Sequence, residues 1–179
     1  MKWPFFKSLP EEPSPGDGPD ISLPAVSRGL PALRLPVNRA VRSDGADLAN
    51  TVHECLDATY KTYGAAALTR VEILFRSVYA IDSFVTNGGF DAYFADCDDP
   101  HEWDNAIAGL KAMHQPQAAR IVENARQVYQ TTLPSDDADQ ATVRAYFEGI
   151  NVFNQQWFDL DLNFNAVLSA FVDTHYPWA

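Results

Sequence analysis

From about residue 45 onward, apolar positions recur every three or four residues, the spacing that places side chains along one side of an α-helix. Leu48, Thr51, Val52, Cys55, Leu56, Thr59 and Tyr63 predict a first helix, with Ser43 or Asp44 as its N-cap and Gly64 at its end. Val71, Leu74, Phe75, Val78, Ile81 and Val85 predict a second, which the pair Gly88-Gly89 stops. Phe90, Tyr93 and Phe94 give a short third helix one apolar face. Asp99-Pro100 reads as N-cap and first helical residue of a fourth, with Trp103, Ile107 and Leu110 inward. Pro116 opens a fifth carrying Ala118, Ile121, Val122, Ala125, Val128 and Tyr129. Ser135 or Asp136 caps a sixth carrying Val143, Tyr146, Phe147 and Ile150. Gln155-Gln156-Trp157-Phe158 reads as a core-facing turn. A last helix uses Phe164, Val167, Leu168, Phe171 and Val172 and stops before Pro177. Alternating strand patterns are absent. Asn87-Gly88 has the composition of a hairpin turn, but the helical period before it argues for a helix corner. The expected fold is all-α, a compact bundle of about seven helices.

The pattern begins only after a different kind of segment. Eight of the twelve prolines fall in the first 36 residues, accompanied by Ser14, Gly16, Gly18 and Ser22. Such a segment buries too little apolar surface to offset the entropy of ordering it. Residues 1–43 are expected to be a disordered Pro-rich tail with partial polyproline character, and residues 44–179 the helical domain. The opening Met1-Lys2-Trp3-Pro4-Phe5-Phe6-Lys7 has too few apolar residues for a secretory signal. Its aromatics suit docking on a partner or a membrane surface less well than a free tail, because a stable anchor takes two signals. No apolar run approaches the roughly 18 residues of a membrane span, so no transmembrane segment is expected. Cys55 and Cys97 lack metal or redox spacing and read as reduced, small buried hydrophobes of a cytoplasmic protein.

Charge divides at the same boundary. The tail holds six Lys or Arg against four acids, whereas the remainder holds seven bases against twenty acids. From Ala145 to the end there is no Lys or Arg at all. Such a domain repels nucleic acid and attracts basic partners. Twelve of these twenty acids form two candidate groups in the chain: Asp91, Asp96, Asp98, Asp99, Glu102 and Asp104, then Asp136, Asp137 and Asp139, joined by Glu148, Asp159 and Asp161.

Catalytic motifs are missing. There is no Gly-rich phosphate loop, no GxSxG and no HExxH. His53, His101, His114 and His175 fall on different elements. His53 and Asp57 are spaced to pair on a helix, which reads as a helix-edge contact. The cluster Asp98, Asp99, His101, Glu102 and Asp104 has oxygens that suit Mg²⁺ or Ca²⁺, but Asp99 is better used as a cap. Asp159, Asp161, Asn163 and Asn165 begin like a calcium loop. Counted from Asp159, however, the sixth and twelfth positions hold Phe164 and Ala170 rather than Gly and Glu. Asp159 and Asp161 then cap or precede the last helix. No catalytic residue, cofactor or metal is assigned.

The motif Asn87-Gly88-Gly89-Phe90, followed by Tyr93-Phe94, serves as an identifier rather than a site. With Trp103-Asp104-Asn105-Ala106, Ala118-Ala119-Arg120-Ile121-Val122 and Phe158-Asp159-Leu160-Asp161, it resembles the C-terminal helical domain of a bacterial DNA-mimic protein family. The resemblance covers roughly residues 45–178. Asp96 stands where an Asn is common, and Met113-His114-Gln115 replaces an Ile-Gly-Ala turn. Fold does not fix function. The resemblance implies a non-enzymatic protein whose acidic face binds a DNA-binding regulator. Helix-surface carboxylates at i,i+3 or i,i+4 have Cβ atoms about 5–6 Å apart. Rows of them approximate a row of phosphates, on which the Lys and Arg of a basic DNA-binding protein would dock. The expected protein is a monomer or homodimer that does not bind nucleic acid directly. A different class, a binding or toxin-neutralising module with a non-electrostatic groove, would instead show an exposed aromatic patch.

Overall fold

Thr69 opens the longest helix with a reciprocal cap. Its hydroxyl accepts from the Glu72 N–H at 3.3 Å while the Glu72 carboxylate accepts from the Thr69 N–H at 2.7 Å. That helix is the spine of the fold. The computed structural model describes residues 45–97 and 99–175, with side chains from Leu48 onward. The Pro-rich segment 1–43 and the expected caps Ser43 and Asp44 lie outside the described residues. Among the described residues the elements are α1 (Gly45–Tyr63), a 3-10 turn (Ala65–Ala67), α2 (Arg70–Asp96), α3 (Pro100–Ala112), α4 (Pro116–Thr132), α5 (Gln140–Phe158) and α6 (Phe164–His175). The all-α reading holds.

Helix α2 packs against α1, α3, α4, α5 and α6. Around it α3 lies on α4, α4 on α5, and α1 on α6. The closest approach is at Gly109 of α3. A Cβ there would stand 2.6 Å from Val78 Cγ2 and 2.8 Å from the Leu74 carbonyl oxygen. Only a residue without a side chain lets α3 come this near the spine.

Six helices replace the expected seven because the second and third are one run, α2, broken by a kink. The break is at Gly89, with φ 80° and ψ 178°. This positive-φ, extended conformation is one that essentially only glycine reaches without strain. The residue following it is tied down from another helix: the Phe90 N–H donates to Asn154 Oδ1 of α5 at 2.8 Å. A Cβ on Gly89 would lie 2.7 Å from Asn154 Nδ2, so the amide fills the space that the missing side chain leaves.

The kink aims three aromatic side chains into the core. Phe90, Tyr93 and Phe94 are at most 1% exposed. The Phe94 ring lies 5.0 Å from Trp103 of α3 and 5.1 Å from Tyr129 of α4. Phe90 meets Trp157 of α5 edge-on at 5.6 Å, and Trp157 stacks on Phe164 of α6 at 4.8 Å. Each such ring contributes its apolar burial, about 1.5–3 kcal/mol, and edge-on geometry adds to it.

Several local expectations change. Asp139, not Ser135 or Asp136, caps α5, accepting from the Thr142 N–H at 2.7 Å. Ser135 and Asp137 bond each other, and the Ala138 N–H returns to the Ser135 carbonyl. That closed turn delays the helix by four residues. Gln155–Phe158 is the last turn of α5 rather than a separate core turn, and only Trp157 of it is buried. Phe147, expected inward, is 50% exposed, because it lies about 100° round the helix from Tyr146. Asn163 accepts from the Ala166 N–H at 3.0 Å and begins α6, whereas Asp159 ends α5. Cys55 and Cys97 are half-buried rather than buried. Gly64 after α1, the Asp99-Pro100 start of α3 and the Pro116 start of α4 stand as expected.

Gly89→Ala should lower unfolding free energy by about 1–3 kcal/mol from backbone strain alone, with the Asn154 collision adding to it. Gly149→Ala, at a helix-interior position whose added Cβ would meet nothing nearer than Val128 Cγ1 at 3.9 Å, should be neutral or stabilising by up to about 1 kcal/mol. Urea unfolding followed by circular dichroism measures both. Equal effects of the two substitutions would show that the kink is not held as described.

Candidate functional site

The start of α3, which carries part of the first acidic group, lies beside the half of α4 that leads into the turn carrying part of the second. Arg126 of α4 pairs with Asp104 of α3 at 2.5 Å and lies over the Trp103 ring. Tyr129, one turn further along α4, is 6.0 Å from Trp103. The N-terminal turn of α3 therefore lies beside the C-terminal half of α4, which ends at Thr132 and leads into the turn Ser135–Asp139. Asp99 caps α3 through the His101 N–H at 2.8 Å, and Asp139 caps α5. Asp99, Asp104, Asp136, Asp137 and Asp139 are all exposed. Asp98 lies outside the described residues. Asp96, half-buried, closes the C-terminal end of α2 at the same side.

The partners of these carboxylates decide how much charge remains. Glu102 is held by Arg76 at 3.0 Å and by the Ser77 hydroxyl at 2.8 Å. Asp104 pairs with Arg126, and Glu148 with Arg144 at 2.7 Å. In these three pairs the guanidinium offsets the carboxylate. Asp99 accepts from the His101 N–H, Asp139 from the Thr142 N–H and side chain, Asp137 from Ser135, and Asp159 from Gln155 at 2.8 Å. Neutral donors leave the full negative charge in place. Hydrogen bonds from Ser135 and from the Thr142 backbone lower the carboxyl pKa values of Asp137 and Asp139 respectively, so both stay ionised well into acid.

Asp91 turns away from that surface. The buried Tyr146 hydroxyl of α5 donates to it, and burial followed by this bond raises the phenol pKa. Two other polar ties join the same helices. Asn154 holds Phe90, and Asp82 accepts from the Trp157 indole and from Thr86. Burial raises the Asp82 carboxyl pKa above its ordinary value. Asp159 and Asp161 are exposed at the far end of α5, about 28 Å from its start at the rise of an α-helix. The second acidic group is thus divided between the two ends of α5.

The motif residues split in role. Gly89 and Phe90 form the kink, Tyr93 and Phe94 are core, and Asn87 and Gly88 are exposed. The Asn87 amide donates to the Ser83 carbonyl at 2.7 Å. Asn154, which fastens the kink to α5, was not singled out from the sequence, and Tyr146 was read there only as part of an apolar stripe. A strict stripe through Tyr146, Ile150 and Trp157 would have placed Asn154 beside it and Phe147 and Phe158 outside it.

The other chemical candidates resolve into structure. Asp57 pairs with Lys61 at 2.5 Å and with Arg76 at 3.8 Å, rather than with His53. Arg76 also lies over the Tyr60 ring at 4.0 Å, so one guanidinium joins α1, α2 and α3. The His53 ring stacks on Tyr79 at 3.8 Å, and its Nδ1 is buried without a partner. Among the described residues no group of three or more His, Cys, Asp or Glu is placed to hold a metal ion, and no helix is long and apolar enough to cross a membrane.

Compared with known proteins, residues 66–175 match the family model described as DMP19-like protein. The match lies within the stretch whose motifs resemble the DNA-mimic family. No curated protein and no solved structure matches the chain.

Burial is the largest influence on His53 and lowers its pKa from 6.5 to about 4, against the opposing pull of Asp57. Between those values the unfolded chain binds a proton that the folded chain refuses. The contribution of this group is therefore unpenalised above pH 6.5 and turns against folding as pH falls toward about 4. The slope of unfolding free energy against pH in that window should be shallower in His53→Phe than in the parent. Identical slopes would mean that His53 titrates normally in the fold.

Proposed function

The chain belongs to the DMP19-like protein family, and from that premise we propose that its helical domain is a non-enzymatic interaction module. It occupies the DNA-binding surface of a basic DNA-binding protein or transcriptional regulator. In this reading residues 44–179 are the working domain, acting in the cytoplasm as a monomer or homodimer and without binding nucleic acid itself.

The observation that carries the reading is that exposed Asp99, Asp137 and Asp139 have neutral rather than cationic partners; in this reading they act with Asp136 as one surface around the α3 start and the α4–α5 turn. Carboxylates in that state present uncancelled charge to a partner's Lys and Arg, as phosphates do. In this reading Asp96 and Asp104 belong to the same working surface, and Asp98, outside the described residues, is assigned to it from the sequence alone. Asp91 and Glu102 serve mainly to hold helices together, Asp159 and Asp161 extend the negative field to the far end of α5, and Glu148, offset by Arg144, adds little to it. Docking on this surface excludes DNA from the partner by competition, because both ligands require the same cations. Exposed Phe147 and Phe158, 50% and 52% accessible, favour a second contribution from apolar contact.

The test is displacement. Purified domain should release a subset of DNA-binding proteins from immobilised duplex DNA. The affinity of each resulting complex should fall about tenfold or more between roughly 50 and 200 mM salt. Asp136→Lys with Asp137→Lys and Asp139→Asn, the last keeping a capping side chain, should weaken the complex about tenfold without unfolding the domain. Complexes indifferent to both salt and these substitutions would remove the electrostatic mechanism.

A further inference from the structure

Phe147 and Phe158 stand eleven residues apart on α5, three helical turns. They are therefore about 16 Å apart along the helix axis and within about 20° of each other around it. Both rings are half exposed, at 50% and 52%. Asn151, also exposed, lies between them on the same line. Asn154 completes the spacing but turns inward to hold Phe90.

These are not loose surface aromatics. Phe147 meets the Tyr146 ring at 5.1 Å, and Tyr146 is buried and bonded to Asp91 of α2. Phe158 follows Trp157, which is buried and stacked on Phe164. The Phe147 ring thus rests on one fixed in the core and loses little side-chain freedom on binding, and Phe158 leaves the helix next to a second such residue.

Charge chooses the occupant. Glu148 and Asp159 flank the two rings, and no Lys or Arg follows Arg144 in the chain. Arg144 is itself committed to Glu148 at 2.7 Å. A second copy laid on this flank would set Asp159 against acids, and its one neighbouring cation, Arg144, is already paired with Glu148. An anionic membrane would be repelled in the same way. A helix with apolar residues every three or four positions, bordered by Lys and Arg, satisfies both the rings and the rim.

We propose that the Phe147–Phe158 flank of α5 is the anchor for a basic amphipathic helix of the partner. The proposal rests on the reading that the partner is basic. It adds that recognition needs apolar register as well as charge. Carboxylates steer the partner in, and the two rings fix where its helix sits.

Two synthetic labelled peptides of about 18 residues test this, long enough to cover both rings at the helical rise. They have identical Leu and Lys content. One places Leu at i, i+4, i+7 and i+11, and the other scrambles the order. Fluorescence anisotropy against the intact protein should show the ordered peptide binding about tenfold more tightly. Phe147→Ala and Phe158→Ala should each erase most of that preference while leaving Tm and circular dichroism unchanged, and Phe147→Leu should retain it. Equal binding of the two peptides, weakened by salt, overturns the anchor and leaves the electrostatic reading standing. A preference for the ordered peptide that salt does not touch keeps the anchor but removes the basic occupant. Self-association in sedimentation that either Ala variant abolishes assigns the flank to a second copy and overturns the proposal.

Discussion

The fold depends on one tight arrangement, the kink at Gly89 with the Asn154 amide seated where a side chain would be. A straight α2 would not bring both its halves against α5. The kink turns Phe90, Tyr93 and Phe94 toward Trp103, Tyr129 and Trp157, and the aromatic core follows from that turn. Polar ties on both sides of the break, Asp82 to Trp157 and Asp91 to Tyr146, then hold the two helices together. Buried polar groups that are satisfied in this way specify one packing more sharply than apolar contact alone.

The same ties explain how a strongly acidic chain keeps a core. Its acids are divided by the partner each has. Those facing Arg76, Arg126 and Arg144 hold helices and largely cancel. Those facing backbone N–H groups or hydroxyls hold helix ends and turns while remaining charged. A carboxylate at an N-cap stabilises the helix dipole and still projects a field outward. Structural use and surface charge are therefore compatible at Asp99 and Asp139 in a way that they are not at Glu102.

Much of this was legible in the sequence, and what was missed has a physical cause. Helix starts carried by Asp99-Pro100 and Pro116 were readable because capping is local. The start of α5 was not, since Ser135, Asp136 and Asp139 are all suitable caps and only the closed turn at Ser135–Ala138 eliminates the first two. Gly88-Gly89 announced a break, but whether it separates two helices or bends one is decided by Asn154, sixty-five positions beyond Gly89. Phe147 and Phe158 were assigned to the core on hydrophobicity, and the finer phase of the helix puts them outside. The lie of α3 along α4, which sets the α3 start beside the half of α4 that leads into the Ser135–Asp139 turn, is encoded by no local pattern.

Most helix pairs in this bundle are near in the chain, but α1 and α6, the first and last described helices, lie against each other. That contact closes a loop of almost the entire domain, so its entropic cost is set by the rest of the bundle being formed first. The α1–α6 pair is accordingly the last neighbourhood to assemble and the first to open. Protection of its amides from hydrogen exchange then reports subglobal opening, while α2 and the helices around its kink report the stability of the whole.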